Sequence, residues 1–317
     1  MRYHQGIGKN SPVNVDLKPQ RRIATTLKCG AILLGLCVGT DQAQLQARPQ
    51  WTRLAHSPDS PLGKDASFHS GALNRDMRYR IYLPHNYAAT TRRYPVLYLL
   101  HGLYGDYENW DTRTNLTKYA AGMDWIIVMP DADDSWYTNS VTHPQDKFED
   151  YVAKDVITEI DDKYRTIRDR HARAIAGLSM GGYGALKFAL RNAQSFAFAG
   201  SLSGALDAAR DLDSRRPEFA AKLVEVFGPP GTPARENNDL FHLLEPIVSK
   251  DVPYLYLACG TDDQFLWVNR EFTAELARRN VVYECHETPG GHEWGYWDRQ
   301  VRAMLAAMEL VISHKSL

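Results

Sequence analysis

The sequence has almost no net charge and few cysteines. Its 37 lysine and arginine residues nearly balance 38 aspartate and glutamate residues, which leaves a formal net charge of −1. A chain without a positive field does not attract phosphate backbones or anionic lipids, so we do not expect it to bind nucleic acid. Four cysteines in 317 residues, none in a Cys-x-x-Cys pair, exclude a disulfide framework and a structural zinc site. The 44% of hydrophobic residues are enough for a buried core.

A long hydrophobic run is also missing. The uncharged apolar segment of residues 29–39 is about half as long as the roughly 20 residues that a membrane-spanning helix needs. It follows Arg21, Arg22 and Lys28, which is the order of the basic and apolar regions in a secretory signal peptide. We therefore expect export to the periplasm or the medium, without stable membrane insertion. The alternative is a buried N-terminal helix in a cytoplasmic protein.

The predicted organisation has three parts. Residues 1–43 form the signal peptide, with cleavage near Ala43 or Ala47. Residues 44–63 form a linker, because they are rich in Gln, Ala, Pro and Ser and show neither a helical nor a strand period. Residues 64–317 form one folded domain.

Apolar periodicity in this domain predicts a mostly parallel sheet. Continuous apolar runs, typical of strands buried on both faces, occupy residues 96–100, 125–129, 172–176, 196–199, 254–258 and 281–283. Helical periodicity occupies residues 148–164 and 297–312. Alternating strands and helices predict a doubly wound α/β fold with right-handed crossovers.

Two further segments complete the predicted fold. Residues 67–73 and 77–83, joined by turn residues 74–76, predict an antiparallel hairpin at one edge of the sheet. Between Asp207 and Pro253 the apolar runs stop and prolines interrupt short helical stretches. This segment is predicted to be a small insertion on top of the sheet.

The most informative local pattern is GLSMGG at residues 177–182, between a predicted strand and a helical stretch. A serine on such a tight strand-to-helix turn projects its hydroxyl above the sheet edge. The glycines two residues before and after it avoid collisions in the strained turn. Ser179 is therefore the candidate nucleophile. A glycine-rich helix start that only packs on the sheet is the alternative.

A serine nucleophile needs a base, and the base needs a carboxylate that fixes its tautomer. In this topology the chain order is serine, acid, histidine. Asp262 and Asp263 follow the run at 254–258, and spacing alone allows either to be the acid. His292, on a glycine-rich loop before the last helix, is the candidate base, and His286 is its competitor.

The oxyanion formed by nucleophilic attack needs N–H donors that are fixed in advance. Met180, the residue after the nucleophile, is one candidate donor. The loop after the run at 96–100 is expected to supply the other. Leu103 is the candidate there, because Gly102 before it lets the backbone approach a substrate. An ordinary strand end is the alternative for this loop.

The sequence resembles the bacterial serine esterase family in five blocks: YPVLYLLHGLYGDYENWD, IIVMPDADDSWYTNS, AIAGLSMGGYGALKFAL, CGTDDQFL and GGHEWGYW. The family includes S-formylglutathione hydrolase, tributyrin esterase, feruloyl and acetylxylan esterases, and the antigen 85 mycolyltransferases. The resemblance covers residues 66–312. It implies an α/β-hydrolase fold in the catalytic domain, with the insertion over the active site. It also implies a catalytic triad of Ser179, Asp263 and His292, which favours Asp263 over Asp262, and an oxyanion hole of Leu103 and Met180.

The resemblance further implies a serine carboxylesterase without metal or cofactor. The expected substrates are short-chain acyl esters or carbohydrate-linked acetyl and feruloyl esters, hydrolysed through an acyl-enzyme. The loop at 131–140, with Trp136 and Tyr137, resembles tributyrin and carbohydrate-acyl esterases more than the cytosolic glutathione-thioester enzymes. An acyltransferase of the antigen 85 type, an S-formylglutathione hydrolase-like thioesterase and a non-catalytic carbohydrate-binding relative are the alternatives.

Aromatic residues provide candidate substrate contacts. They fall in loops at the carboxyl ends of predicted strands, where α/β folds bind ligands and where rings can stack on an aryl or sugar group. These residues are Tyr104, Trp110, Trp136, Tyr137 and Trp294.

Two other groups have simpler expectations. Asp131, Asp133 and Asp134 lack the glycine and the distal glutamate of a known calcium loop, so a solvated loop is expected rather than a calcium site. Cys259 and Cys285 end neighbouring strands, and two buried thiols are expected rather than a disulfide.

Overall fold

The computed structural model describes residues 63–247 and 249–315. The predicted signal peptide, residues 1–43, and all but the last residue of the predicted linker, 44–63, lie outside the described residues.

Eight strands of the described chain form one sheet. In chain order they are β1 (Lys64–Ser70), β2 (Arg75–Tyr82), β3 (Val96–Leu100), β4 (Ile126–Pro130), β5 (Arg173–Leu178), β6 (Phe198–Leu202), β7 (Tyr254–Gly260) and β8 (Tyr283–Thr288). Their order across the sheet is β1-β2-β4-β3-β5-β6-β7-β8. The β1–β2 and β2–β4 pairs are antiparallel, and every other pair is parallel. The predicted α/β class with an antiparallel N-terminal hairpin is confirmed.

The helices connect these strands. In chain order they are α1 (Asn109–Arg113), α2 (Leu116–Ala120), α3 (Phe148–Asp150), α4 (Ile157–Lys163), α5 (Met180–Arg191), α6 (Leu212–Arg215), α7 (Ala220–Phe227), α8 (Pro233–Glu236), α9 (Leu240–Leu244), α10 (Leu266–Arg278) and α11 (Trp294–Lys315). A π-helical turn, Tyr151–Val156, joins α3 to α4 within the stretch predicted as one helix. No helix in the described ranges has the length and apolarity needed to cross a bilayer.

Two strand predictions were wrong in detail. The hairpin turn comes earlier than predicted, because Asn74 adopts a left-handed φ of 50° and Arg75 already pairs with Ser70 in the ladder. The run at 281–283 is not a strand buried on both faces. Val281 is buried, but the strand itself is β8. It lies at the edge of the described sheet, where no described strand pairs with its outer side, and its side chains alternate between partly buried and exposed.

The core consists of two apolar layers, one on each face of the sheet. Side chains of β5 alternate between them, with Ile175 in one layer and Ala174 and Ala176 in the other. Helix α5 packs on the first face, and α11 covers the second with fully buried residues such as Val301 and Met304. Burial of both faces explains why the central strands are continuously apolar.

The predicted insertion between β6 and β7 contains α6 to α9. Arg235 of α8 is buried, and its Nε and Nη1 donate to the carbonyl oxygens of Ala209 (3.0 Å) and Gly228 (3.1 Å). Its Nη2 lies 3.0 Å from Asp213 of α6. A buried charge that loses its partner is strongly destabilising, so these contacts hold the helices of the insertion together.

Candidate active site

Ser179 lies on the tight turn between β5 and α5. Its φ of 53° and ψ of −116° are a strained conformation for a residue with a side chain, and such strain persists only where the surroundings impose it. The Ser179 N–H donates to the Leu202 carbonyl oxygen at 2.9 Å, and the Ser179 carbonyl oxygen accepts from the Tyr183 N–H at 3.0 Å. The backbone on both sides of the turn is therefore held by neighbouring elements.

The glycines around Ser179 allow close backbone contacts. A Cβ atom on Gly177 would lie 2.5 Å from the carbonyl of Gly181, and a Cβ atom on Gly181 would lie 2.5 Å from the Leu100 carbonyl oxygen. Both distances are shorter than any real contact. Residues 177 and 181 must therefore be glycine for the turn to sit against β3 and present the Ser179 hydroxyl.

The structure brings Ser179, His292 and Asp263 into one hydrogen-bonded chain. His292 Nε2 lies 3.0 Å from Ser179 Oγ, and His292 Nδ1 lies 3.0 Å from Asp263 Oδ2 and 3.2 Å from Oδ1. The imidazole is held between the rings of Phe265 and Trp297, at centroid distances of 5.2 and 4.9 Å. Both nitrogens of His292 thus have the partners that a proton-transferring base requires.

Asp263 is suited to remain ionised beside His292. Burial raises its pKa, but the hydrogen bond and the charge of His292 outweigh that effect, and the net pKa is lowered. The Phe265 N–H also donates to Asp263 Oδ1 at 2.9 Å. Of the two aspartates left open by spacing, Asp263 contacts His292, whereas Asp262 is exposed. The competing His286 pairs with Glu284 on β8 instead.

The two candidate oxyanion donors come from different elements that meet near Ser179. Met180 is the first residue of α5, and Leu103 lies in the loop after β3 and lines the same cavity as Ser179. Neither backbone N–H donates to a residue in the described part of the chain. The first N–H groups of a helix have no partner within the helix, so the Met180 N–H can bind an oxygen of the substrate.

Buried hydrogen bonds position the loop that carries Leu103. His101 Nε2 accepts the Ala132 N–H at 3.0 Å. The hydroxyl of Tyr137 donates to the His101 carbonyl oxygen at 2.9 Å. The Gly105 N–H closes a turn on the Gly102 carbonyl oxygen at 3.0 Å. These bonds fix the loop relative to β4.

A cavity of about 240 Å³ opens above Ser179 and His292. Its wall is mostly aromatic and aliphatic, and it includes three of the five aromatic residues predicted to bind substrate. Those three are Tyr104, Trp136 and Trp294.

The other two predicted aromatic contacts do not line this cavity. Trp110 is fully buried, and its Nε1 donates to the Leu100 carbonyl oxygen at 2.9 Å. Tyr137 is fully buried as well and bonds His101 as described above. Both rings bond the backbone where β3 ends and lie outside the cavity lining, so their contact with substrate stays a prediction.

Several further lining residues were not predicted from the sequence, and five of them are of particular interest. Leu212, Arg216 and Phe219 come from the insertion, where no motif could have identified them. Gln264 directly follows Asp263, and Trp297 had been assigned only to the apolar face of α11. For Gln264 and Trp297, one indication was available in the sequence, which is that they lie close to Asp263 and His292 along the chain.

Each of the three aspartates after β4 contacts a different partner. Asp133 pairs with Arg75 at 2.6 Å, and Asp134 accepts the Tyr104 N–H at 2.6 Å. Asp131 lies 3.7 Å from His101 Nε2. Within residues 63–247 and 249–315, no cluster of three or more metal-ligating side chains is found.

Cys259 and Cys285 are both free thiols in the structure. Cys259 is buried, but Cys285 is exposed, so the expectation of two buried thiols was wrong for Cys285. The reason is its position on β8, whose outer edge is unpaired within the described sheet.

Comparisons with known proteins agree on one family. A family model described as putative esterase matches residues 70–308. An esterase of Mycobacterium tuberculosis is 32% identical over 251 residues, which are 71% of this chain and 54% of the relative. An acetyl esterase of Caldicellulosiruptor saccharolyticus is 28% identical over 213 residues, 65% of this chain and 80% of the relative. The chain thus spans about half the length of the mycobacterial relative.

Similarity extends to solved structures. FphF, a fluorophosphonate-binding serine hydrolase of Staphylococcus aureus, superposes with a TM-score of 0.69 at 27% identity. The superposition covers 80% of this chain and 99% of that protein.

Proposed function

This chain belongs to the putative esterase family, and on that premise we propose that it is a serine carboxylesterase acting through Ser179, His292 and Asp263. The observation that carries the proposal is the hydrogen-bonded chain from Ser179 Oγ through His292 to Asp263, with the serine on a strained strand-to-helix turn. A serine hydroxyl is a weak nucleophile at neutral pH, and this arrangement is the one that activates it.

The proposed reaction proceeds through an acyl-enzyme. As Ser179 Oγ bonds to the ester carbonyl carbon, its proton moves to His292 Nε2, and the N–H groups of Leu103 and Met180 hold the oxyanion. The bond to the alcohol oxygen then breaks, and the alcohol leaves with the proton from His292. A water molecule attacks the acyl-enzyme in the same way, which releases the carboxylic acid and restores Ser179.

The size and chemistry of the cavity favour a small acyl group. A volume of about 240 Å³ lies below the usual range of ligand pockets, roughly 300–1,000 Å³. The aromatic side chains of Tyr104, Trp136 and Trp294 can stack on an aryl or sugar ring. We therefore propose short-chain acyl esters or carbohydrate-linked acetyl and feruloyl esters as substrates, and the similarity to an acetyl esterase supports this class.

The test is covalent labelling by a fluorophosphonate, measured by intact mass together with the release of 4-nitrophenol from 4-nitrophenyl acetate. Wild-type protein should gain one label and hydrolyse the ester, and Ser179→Ala should do neither. As a matched control, Ser70→Ala removes another buried serine hydroxyl, which bonds Asp155 outside the cavity lining, and should retain labelling at Ser179. Wild-type protein that is folded but neither labelled nor active would refute the proposal.

We also propose that the protein is exported. The support is the basic residues Arg21, Arg22 and Lys28 followed by the apolar segment at 29–39. Expression of the full chain in a bacterial host, followed by intact-mass analysis of the periplasmic fraction, should give a product cleaved near Ala43 or Ala47. Full-length product confined to the cytoplasm would contradict export.

A further inference from the structure

The insertion places a permanent charge in the wall of the active-site cavity. Arg216, at the end of α6, lines this cavity together with Ser179 and His292. The remaining described lining residues include no Asp, Glu, Lys or second Arg. A guanidinium in a wall that is otherwise aromatic, aliphatic or neutral polar is a feature that hydrolysis of a neutral ester does not require.

Two of the three nitrogens of the Arg216 guanidinium have hydrogen-bond partners among the described residues. Its Nε donates to Glu218 at 2.6 Å, and its Nη1 donates to the side-chain oxygen of Gln264. No described residue accepts a hydrogen bond from Nη2. The Glu218 side chain is 54% exposed, and an ion pair this exposed is weak enough for a better-placed anion to displace.

Two neutral hydrogen-bonding side chains, Gln264 and Tyr104, line the same cavity as Arg216. Gln264 directly follows Asp263 and holds the guanidinium toward the cavity. Tyr104 is 45% exposed. The pKa of its hydroxyl is raised, mainly by partial burial and further by the negative charges of Asp134 and Glu218. Tyr104 and Arg216 line the same cavity, so the hydroxyl and the guanidinium can both contact one substrate.

We propose that Arg216 is a specificity-determining residue that binds a carboxylate of the substrate, so that the preferred esters carry a negative charge. This proposal rests on the proposed esterase function. The planar fork of a guanidinium matches a carboxylate in two parallel hydrogen bonds, and a partly desolvated site strengthens them. A substrate carboxylate would bond Nη2 and take the place of Glu218 on the guanidinium, while the ester carbonyl lies over Ser179.

The experiment compares two esters with the same acetyl group. 4-Acetoxybenzoate carries a carboxylate on its phenol, and methyl 4-acetoxybenzoate lacks that charge. The measured quantity is the ratio of kcat/KM for the charged ester to kcat/KM for the neutral one. Comparing this ratio between variants cancels the intrinsic reactivity of the two esters.

We expect Arg216→Gln to lower the ratio about fivefold, the effect of losing one partly exposed ion pair. Glu218→Gln removes the competing carboxylate and should raise the ratio about twofold. The control is Arg215→Gln, because Arg215 stacks on Trp267 at 3.6 Å outside the cavity lining and its loss should leave the ratio unchanged.

Two outcomes would overturn the proposal. One is a ratio that Arg216→Gln leaves unchanged, and the other is an equal fall in Arg215→Gln, which would indicate a general field effect. Fluorophosphonate labelling of each variant separates these outcomes from a failure of the proposed function. If Ser179 is labelled and the neutral ester is hydrolysed, the esterase function holds and the result bears only on the role of Arg216. If wild-type protein is neither labelled nor active, the esterase proposal itself fails.

Discussion

The Asp134 carboxylate accepts a hydrogen bond from the backbone N–H of Tyr104 at 2.6 Å. Asp134 follows β4 and Tyr104 follows β3, so this bond joins two loops at the carboxyl ends of neighbouring strands. Tyr104 has a left-handed φ of 61°, a conformation that needs external support in a residue with a side chain. Because Leu103 directly precedes it, the bond fixes the orientation of a candidate oxyanion donor.

Removing the Asp134 carboxylate should therefore slow the chemistry rather than abolish it. We expect Asp134→Ala to lower kcat for ester hydrolysis about tenfold, because a charge-assisted hydrogen bond contributes roughly 1.5–3 kcal/mol and only part of it acts on the Leu103 N–H. The measurement is steady-state kinetics on 4-nitrophenyl acetate. Asp133→Asn, which alters only the exposed pair with Arg75, serves as the control. Equal activity of the two variants would contradict this role of Asp134.

The choice between the two adjacent aspartates gives a second prediction. Asp263→Asn should lower kcat by about 10³- to 10⁴-fold, because an amide no longer holds His292 in the tautomer that accepts the serine proton. Asp262→Asn should retain nearly full activity, since Asp262 uses its backbone N–H, not its side chain, to bond the Gly290 carbonyl oxygen. The same assay with both variants decides between them. A larger loss in Asp262→Asn would reverse the assignment.

Local chemistry explains what the sequence could predict of this molecule. Buried parallel strands are continuously apolar, so β3 and its neighbours were recognisable. The pattern around Ser179 depends on contacts within a few residues, as the collision between a Cβ on Gly177 and the Gly181 backbone illustrates. Features determined by neighbours in the chain can therefore be predicted without knowledge of the fold.

Features determined by residues that are distant in the sequence could not be predicted. Whether Trp110 faces a ligand or the core depends on the Leu100 carbonyl oxygen that its indole reaches. Whether β8 is covered depends on strand order, which places it at an edge. The contribution of Arg216 to the cavity arises because the insertion folds back over Ser179, and no period or motif in the insertion indicated this.

The close contact of Gly181 with β3 gives a third prediction. Gly181→Ala places a methyl group 2.5 Å from the Leu100 carbonyl oxygen and 2.6 Å from the His101 carbonyl oxygen, and the backbone cannot move without displacing Ser179. We expect loss of fluorophosphonate labelling and destabilisation by at least about 2 kcal/mol in urea unfolding. Gly122→Ala is the matched control, because a Cβ there meets nothing within 4 Å. Normal labelling of Gly181→Ala would show that the turn adapts.

Asp207, at the start of the insertion, gives a prediction about pH. Both of its carboxylate oxygens are buried without a hydrogen-bond partner among the described residues, and the Nε of Arg215 is 4.0 Å away. Burial raises the pKa of Asp207 from 3.8 to about 6. The folded state therefore binds more protons than the unfolded state between about pH 4 and 6, so ionisation of Asp207 lowers the free energy of unfolding as the pH rises through this window.

Asp207→Asn removes that penalty, so it should stabilise the protein above pH 6 and give no gain below about pH 4. We expect a gain of about 2 kcal/mol at pH 7.5, somewhat less than the pKa difference alone implies because the amide is also buried without partners. Urea unfolding of both proteins at pH 4 and pH 7.5 measures it. Asp162→Asn, on an exposed side chain outside the insertion that pairs with Arg168, should show no such difference. An equal gain at both pH values would mean that packing, not the carboxylate charge, limits stability at this position.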